Sequence, residues 1–165
     1  MGCVLAAKFA GAARVLVIGK NARQKELAER CGCAYLDVGG QDIEEKAKMD
    51  NGGAFDVAYE CVGRERTLAL AAALTAHGGK LMVMGVFENK PVFDLNAFQE
   101  GERMLLTSQA HVDEIGQTLA WMAQGRVRAG EFITRIVTLD TLVRDGFEEL
   151  IKNGAAHTKI LINIG

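Results

Sequence analysis

Residues 55–85, FDVAYECVGRERTLALAAALTAHGGKLMVMG, contain two short apolar runs on either side of a longer segment with helical spacing. FDVAYE reads as a strand that closes on the turn at Gly63. In RTLALAAALTAHGG (66–79), Leu68, Ala71, Ala72 and Leu74 or Thr75 recur every three or four residues, which predicts a helix. KLMVMG (80–85) reads as a buried strand. Two buried strands joined by a helix imply a crossover between parallel neighbours, because a parallel pair cannot be closed by a tight turn.

The same alternation extends outward. Upstream, Val4, Leu5 and Phe9 share one face of a helix that stops at Gly11, and RVLVIG is a strand ending at Gly19. ARQKELAERCG is a helix with Leu27 and Ala28 inward and Gly32 at its end, followed by the strand AYLDV and a polar-faced helix over 42–51. Downstream, a loop through Pro91, the only proline, leads to the strand RMLLTS. Alternating strands and helices with glycine-rich junctions predict a doubly wound parallel α/β sheet. From His111 the pattern changes. A helix with Ile115, Leu119 and Met122 inward precedes a strand around FITRIVTL, a helix TLVRDGFEELIKNG capped by Asp140, and a final strand KILINI. This tail reads as a separate α+β unit.

A chain of 165 residues with 49% apolar content has ample material for a core. Nineteen Lys and Arg against 21 Asp and Glu leave a net charge of -2, and the cations are scattered, so no nucleic-acid partner is expected. The first residues lack the basic start of an export signal, and Ala6 stands where a myristoylation site needs Ser or Thr. No apolar run approaches the ~20 residues that span a bilayer. A cytoplasmic location without membrane contact is expected. The four cysteines (Cys3, Cys31, Cys33, Cys61) and three histidines lie far apart without CxxC or HExxH spacing, which favours buried reduced thiols over a metal site.

In doubly wound sheets ligands lie beyond the carboxyl ends of the strands. The residues there are Gly19-Lys20-Asn21, Cys61-Val62-Gly63, Gly85-Val86-Phe87 and Ser108-Gln109. One such glycine reads as turn punctuation, whereas glycine at three of the four ends points to a ligand lying against the backbone. Glu60, at the end of its strand, suits either a general base or a hydrogen-bonded structural acid. Without a neighbouring His or metal the structural role is favoured. Trp121 and Met122 read as packing residues.

The succession DVAYECVG, GGKLMVMGVF, FITRIVTLDTLVRDGFEELIKNG and KILINI resembles the C-terminal half of the medium-chain dehydrogenase/reductase family, in particular its zinc-dependent alcohol and polyol dehydrogenases, over essentially the whole chain. The resemblance implies a Rossmann-like domain and places Met1-Gly2 at the last two positions of the GxGxxG fingerprint. On this reading the chain starts inside the glycine loop. Residues 1–110 are then a partial dinucleotide-binding domain lacking its first strand, and 111–165 an element of the family's catalytic domain. Zinc is expected only in the absent N-terminal domain, so the chain alone is expected not to turn over.

The resemblance implies NADP or NAD as cofactor, held by Gly2, Gly19, Lys20, Arg23, Cys61, Val62, Gly63, Arg64, Gly85, Val86, Phe87, Ser108 and Gln109. NAD-preferring relatives end the second Rossmann strand in an acidic residue that binds the ribose hydroxyls. Here Gly19 stands at that position with Lys20 and Arg23 beside it, which favours NADP; the other reading is a solvated basic helix start. Thr158 and Lys159 stand where the family often has an arginine near its last strand. The implied activity is hydride transfer between a small-molecule alcohol and nicotinamide, and the alternative is a truncated, non-catalytic dinucleotide-binding or structural module. Loss of the first strand would leave its neighbours unpaired. Association into a homo-oligomer, with RMLLTS as the matching edge, or membership of a longer polypeptide is therefore expected.

Overall fold

The computed structural model describes residues 1–165. Along the chain lie α1 (Gly2–Phe9), β1 (Leu16–Gly19), α2 (Ala22–Arg30), β2 (Ala34–Asp37), α3 (Ile43–Asn51), β3 (Phe55–Glu60), α4 (Glu65–Leu74), β4 (Thr75–Val83), α5 (Leu95–Glu100) and β5 (Met104–Thr107). Then follow α6 (Glu114–Ala123), β6 (Ile133–Thr138), α7 (Glu149–Asn153) and β7 (Lys159–Asn163). The strands form a two-stranded ladder β1-β2, a three-stranded ladder β3-β4-β5 and a two-stranded ladder β6-β7. Two compact units emerge: Leu36–Ala110, and Met1–Tyr35 together with His111–Gly165.

In the Leu36–Ala110 unit, β3, β4 and β5 are parallel, with Ala58 opposite Leu81 and Leu81 opposite Leu105. This register carries Leu81 into a core with Leu68 of α4 and Phe98 of α5, where it is 0% exposed. Ala58, Ala71, Ala72 and Phe93 pack around it. Val57 and Tyr59, which alternate with Ala58, are exposed, so α4 and α5 cover one face of the ladder.

The helix predicted over 66–79 ends earlier, at Leu74, and 75–79 begin β4. Two hydrogen bonds and two glycines accompany the change. The buried Thr75 hydroxyl donates back to the Ala71 carbonyl at 2.8 Å, and the Thr75 carbonyl accepts from Arg103 Nε at 2.8 Å. Gly78 turns at φ +69, and a Cβ on Gly79 would press on Ala76 O, Thr75 Cγ2 and Asp56 O. Tertiary contacts thus override helical periodicity.

In the other unit, Leu27 and Ala28 are buried as expected, and Gly11 adopts the left-handed conformation after α1. Ile115, Leu119 and Met122 are exposed instead of inward. Trp121 sets the orientation of α6: its ring meets Phe9 at 4.7 Å and 62°, and the Arg126 guanidinium lies 4.3 Å from the Phe9 ring centre. The helix predicted from Asp140 is a π-helical turn, Leu142–Glu148, continued by α7, and Thr141 stands at its start in place of Asp140. The widened turn seats buried Gly146 near Val137 and directs the Asp145 carbonyl to Arg135 Nη1 at 3.2 Å.

The parallel β6-β7 pair is tied by side chains. His157, 9% exposed, lies with Nδ1 at 3.0 Å from Thr134 Oγ1 and Nε2 at 3.1 Å from Glu149 Oε1. The Thr134 hydroxyl donates to the Lys159 carbonyl at 3.0 Å. Hydrogen bonds from His157 and then Asn153 hold the Glu149 carboxyl below the usual glutamate range. A carboxyl lowered by folding stabilises the native state above its ordinary range, and that contribution is lost as pH falls through the lowered value. The difference in unfolding midpoint between wild type and Glu149→Gln is therefore expected to be largest near neutral pH and to shrink on acidification, as measured by urea unfolding across a pH series.

Candidate functional site

The ends of β3 and β4 are held together by Glu60. Its side chain is 2% exposed, and its carboxylate accepts from the Val62 N–H at 2.9 Å, the Gly63 N–H at 3.0 Å and the Thr67 hydroxyl at 2.6 Å. The Glu60 carbonyl accepts from the N–H groups of Met84 at 2.8 Å and Gly85 at 3.1 Å. One residue therefore closes its own turn, engages the first turn of α4 and holds the end of β4. Every carboxylate contact is made to the turn at residues 62–63 or to Thr67 in the first turn of α4, which is the arrangement of a structural acid.

Two glycines make this junction possible. Gly63 has φ +77 and approaches the Val86 carbonyl so closely that a Cβ would overlap it. A Cβ on Gly85 would overlap the Gly63 nitrogen and Glu60 Oε2. These glycines are needed first because the two loops press on each other. Their apolar neighbours project outward: Val62 is 61% exposed and Val86 76% exposed. Arg64 and Glu88 form an exposed ion pair between the same loops at 3.6 Å. At the end of β5 the Ser108 N–H donates to the Val83 carbonyl at 3.1 Å, and Ser108 and Gln109 are exposed.

Phe87 turns inward against the Leu68, Leu81 and Phe98 core. Cys61 is exposed, contrary to the expectation of buried thiols, because it stands at the outer end of β3; only Cys33 is buried, and all four thiols are unbridged. Burial pushes the Cys31 and Cys33 thiols above the usual range. A broad depression near α3, lined by Asp42, Glu44, Lys48 and Arg66, contains none of the strand-end candidates. No three His, Cys, Asp or Glu side chains converge in a way that could hold a metal ion.

The end of β1 belongs to the other unit. The Lys20 N–H donates to Gln24 Oε1 at 2.9 Å, Asn21 Oδ1 caps α2 by accepting from the Gln24 N–H at 2.8 Å, and the Tyr35 hydroxyl donates to the Asn21 carbonyl at 3.2 Å. Arg23 Nη1 meets Glu26 Oε2 at 2.6 Å and Nη2 donates to the Glu131 carbonyl at 2.9 Å. That hydrogen bond from Arg23 holds the Glu26 carboxyl below its usual range. Gln24 and Tyr35 are absent from the candidates drawn from sequence. The spacing of Asn21 and Gln24, a capping residue with Gln three positions on, carried the signal for Gln24, whereas nothing local marks Tyr35. Gly2 opens α1 with nothing within 4 Å of where a Cβ would stand.

Residues 1–124 match the family model described as zinc-binding dehydrogenase. The chain belongs to the zinc-binding dehydrogenase family. It is 27% identical over 167 residues to the (R,R)-butanediol dehydrogenase of Neisseria gonorrhoeae, an alignment that covers 99% of this chain and 47% of that protein. The crystal structure of 2R,3R-butanediol dehydrogenase from Bacillus subtilis superposes with a TM-score of 0.89 at 26% identity, covering 98% of this chain and 47% of the other. A zinc-binding dehydrogenase from Sinorhizobium meliloti, solved bound to NADP, superposes at 0.84 with 26% identity, again over 98% of this chain and 48% of its own. This dehydrogenase-family chain thus spans about half the length of the relatives it matches, and its parallel ladders and flanking helices form the Rossmann-like α/β fold expected from sequence.

In this chain, Glu60→Gln replaces one acceptor oxygen with an amide nitrogen facing N–H donors. It is expected to destabilise the protein by about 1–3 kcal/mol, measured by denaturant unfolding. Thr67→Val, which removes only the hydroxyl, is expected to have a smaller effect.

Proposed function

We propose that this chain is the cofactor-binding part of an NAD(P)-dependent, zinc-type alcohol or polyol dehydrogenase. The observation that carries this reading is the locked pair of strand ends, in which Glu60, Gly63 and Gly85 fix two adjoining loops and leave Val62 and Val86 exposed as apolar surface. Such a surface, rimmed by backbone polar groups, fits the flat faces and hydroxyls of a dinucleotide. The NADP-bound relative supports the cofactor class.

The proposed contacts follow the sequence reading with one exception: Gly2, Gly19 and Lys20 toward the phosphates and adenosine ribose, Cys61, Val62, Gly63 and Arg64 toward the adenosine side, and Gly85, Val86, Phe87, Ser108 and Gln109 toward the nicotinamide, whereas Arg23 is committed to Glu26 and the Glu131 carbonyl. The inward turn of Phe87 limits it to its backbone groups. Residues 1–110 are the partial dinucleotide domain and 111–165 the element of the catalytic domain. A nicotinamide dinucleotide, when bound, supplies the hydride acceptor for alcohol oxidation. The residues of this chain orient it and shield its apolar faces from water. No step through zinc is assigned to this chain, whose side chains form no metal-binding group. The substrate class is a small-molecule alcohol or polyol, and the exposed edge strand β5 is the proposed surface for homo-oligomer formation.

Gly19 supplies no carboxylate and Lys20 supplies a cation, which favours NADP over NAD. Calorimetric titration of the chain with both cofactors is expected to show tighter binding of NADP. Heat from neither contradicts the reading.

A further inference from the structure

Position 19 looks open in the sequence, yet in the structure it is full. A Cβ on Gly19 would stand 2.7 Å from Gln24 Oε1, 2.9 Å from Tyr35 Cε2 and 3.0 Å from Tyr35 Oη. The space that an acidic side chain would enter at the end of β1 is therefore occupied by a carboxamide and a phenol. Arg23, the cation that charge alone would nominate for a phosphate, is committed to Glu26 and to the Glu131 carbonyl, and its Nε is buried without an acceptor. Lys20 is exposed and forms no ion pair. The oxygen of Gln24 is taken by the Lys20 N–H, which leaves the amide nitrogen with its two N–H donors unused by the protein.

We propose that Gln24, together with Lys20, reads the 2′ substituent of the adenosine ribose, and that Arg23 is a brace for α2 and not a phosphate ligand. This rests on the dinucleotide reading above and assigns the specificity of that same site. A carboxylate accepts a proton from a ribose hydroxyl and repels a 2′-phosphate. An amide N–H instead donates, to a phosphate oxygen or more weakly to a hydroxyl oxygen, and the Lys20 ammonium adds charge attraction for the phosphate alone. Tyr35 contributes by position: its ring and hydroxyl fill the Gly19 site and hold Gln24 at the strand end.

The test is calorimetric titration of the full chain with adenosine 2′,5′-bisphosphate and with 5′-AMP, alongside thermal unfolding. Gln24→Glu keeps the acceptor for the Lys20 N–H but exchanges the donors for a negative charge. It is expected to weaken the bisphosphate at least about tenfold more than 5′-AMP. Lys20→Gln, at an exposed position, is expected to shift the ratio in the same direction. Arg23→Met is expected to lower the unfolding temperature and leave the ratio of the two affinities within about twofold. Loss of bisphosphate preference in Arg23→Met, or an unchanged ratio in both Gln24→Glu and Lys20→Gln, overturns the inference while the dinucleotide reading stands. Binding of neither nucleotide to the wild-type chain overturns both.

Discussion

One buried carboxylate governs the junction between the ends of β3 and β4. Glu60 ends β3, and from that position its side chain and carbonyl together satisfy four backbone N–H groups on two loops as well as the Thr67 hydroxyl. Left alone, those N–H groups would splay the ends of β3 and β4 toward water. With the acid in place, the ends of two parallel strands become a rigid, closely spaced platform. The glycines follow from this constraint, because a platform so tight has no room for Cβ atoms at Gly63 and Gly85.

The rest of the Leu36–Ala110 unit serves the same platform from below. Leu81, Leu68 and Phe98 fix α4 and α5 on one face of the ladder, and Phe87 is drawn into that core, which anchors the loop carrying Val86. The loop tips therefore combine anchored backbone with exposed apolar side chains, a combination suited to binding a flat ligand with little reorganisation. The end of β1 uses a different device, in which Gln24 and Tyr35 fill the place of a side chain that Gly19 lacks.

Much of this was legible in the sequence. The βαβ unit over 55–85 follows from apolar runs, helical spacing and glycine punctuation, and the strand-end residues follow from knowing where the strands stop. What was not legible depended on partners distant in sequence. Thr75 and Arg103 cut α4 short, Trp121 on Phe9 turned α6 so that Ile115 and Leu119 face outward, and Tyr35 filled position 19 from a neighbouring strand. The glycines at the strand ends were visible in the sequence but their structural cause was not, since Gly63 and Gly85 are required by the close approach of each other's loops.

Amide hydrogen exchange at Val62 and Gly63, followed residue by residue by NMR, tests the platform most directly. If the Glu60 carboxylate holds these N–H groups as described, they exchange as slowly as the ladder amides of β3 and β4, although they lie in a surface loop. Exchange at the rate of unprotected loop amides would contradict the account.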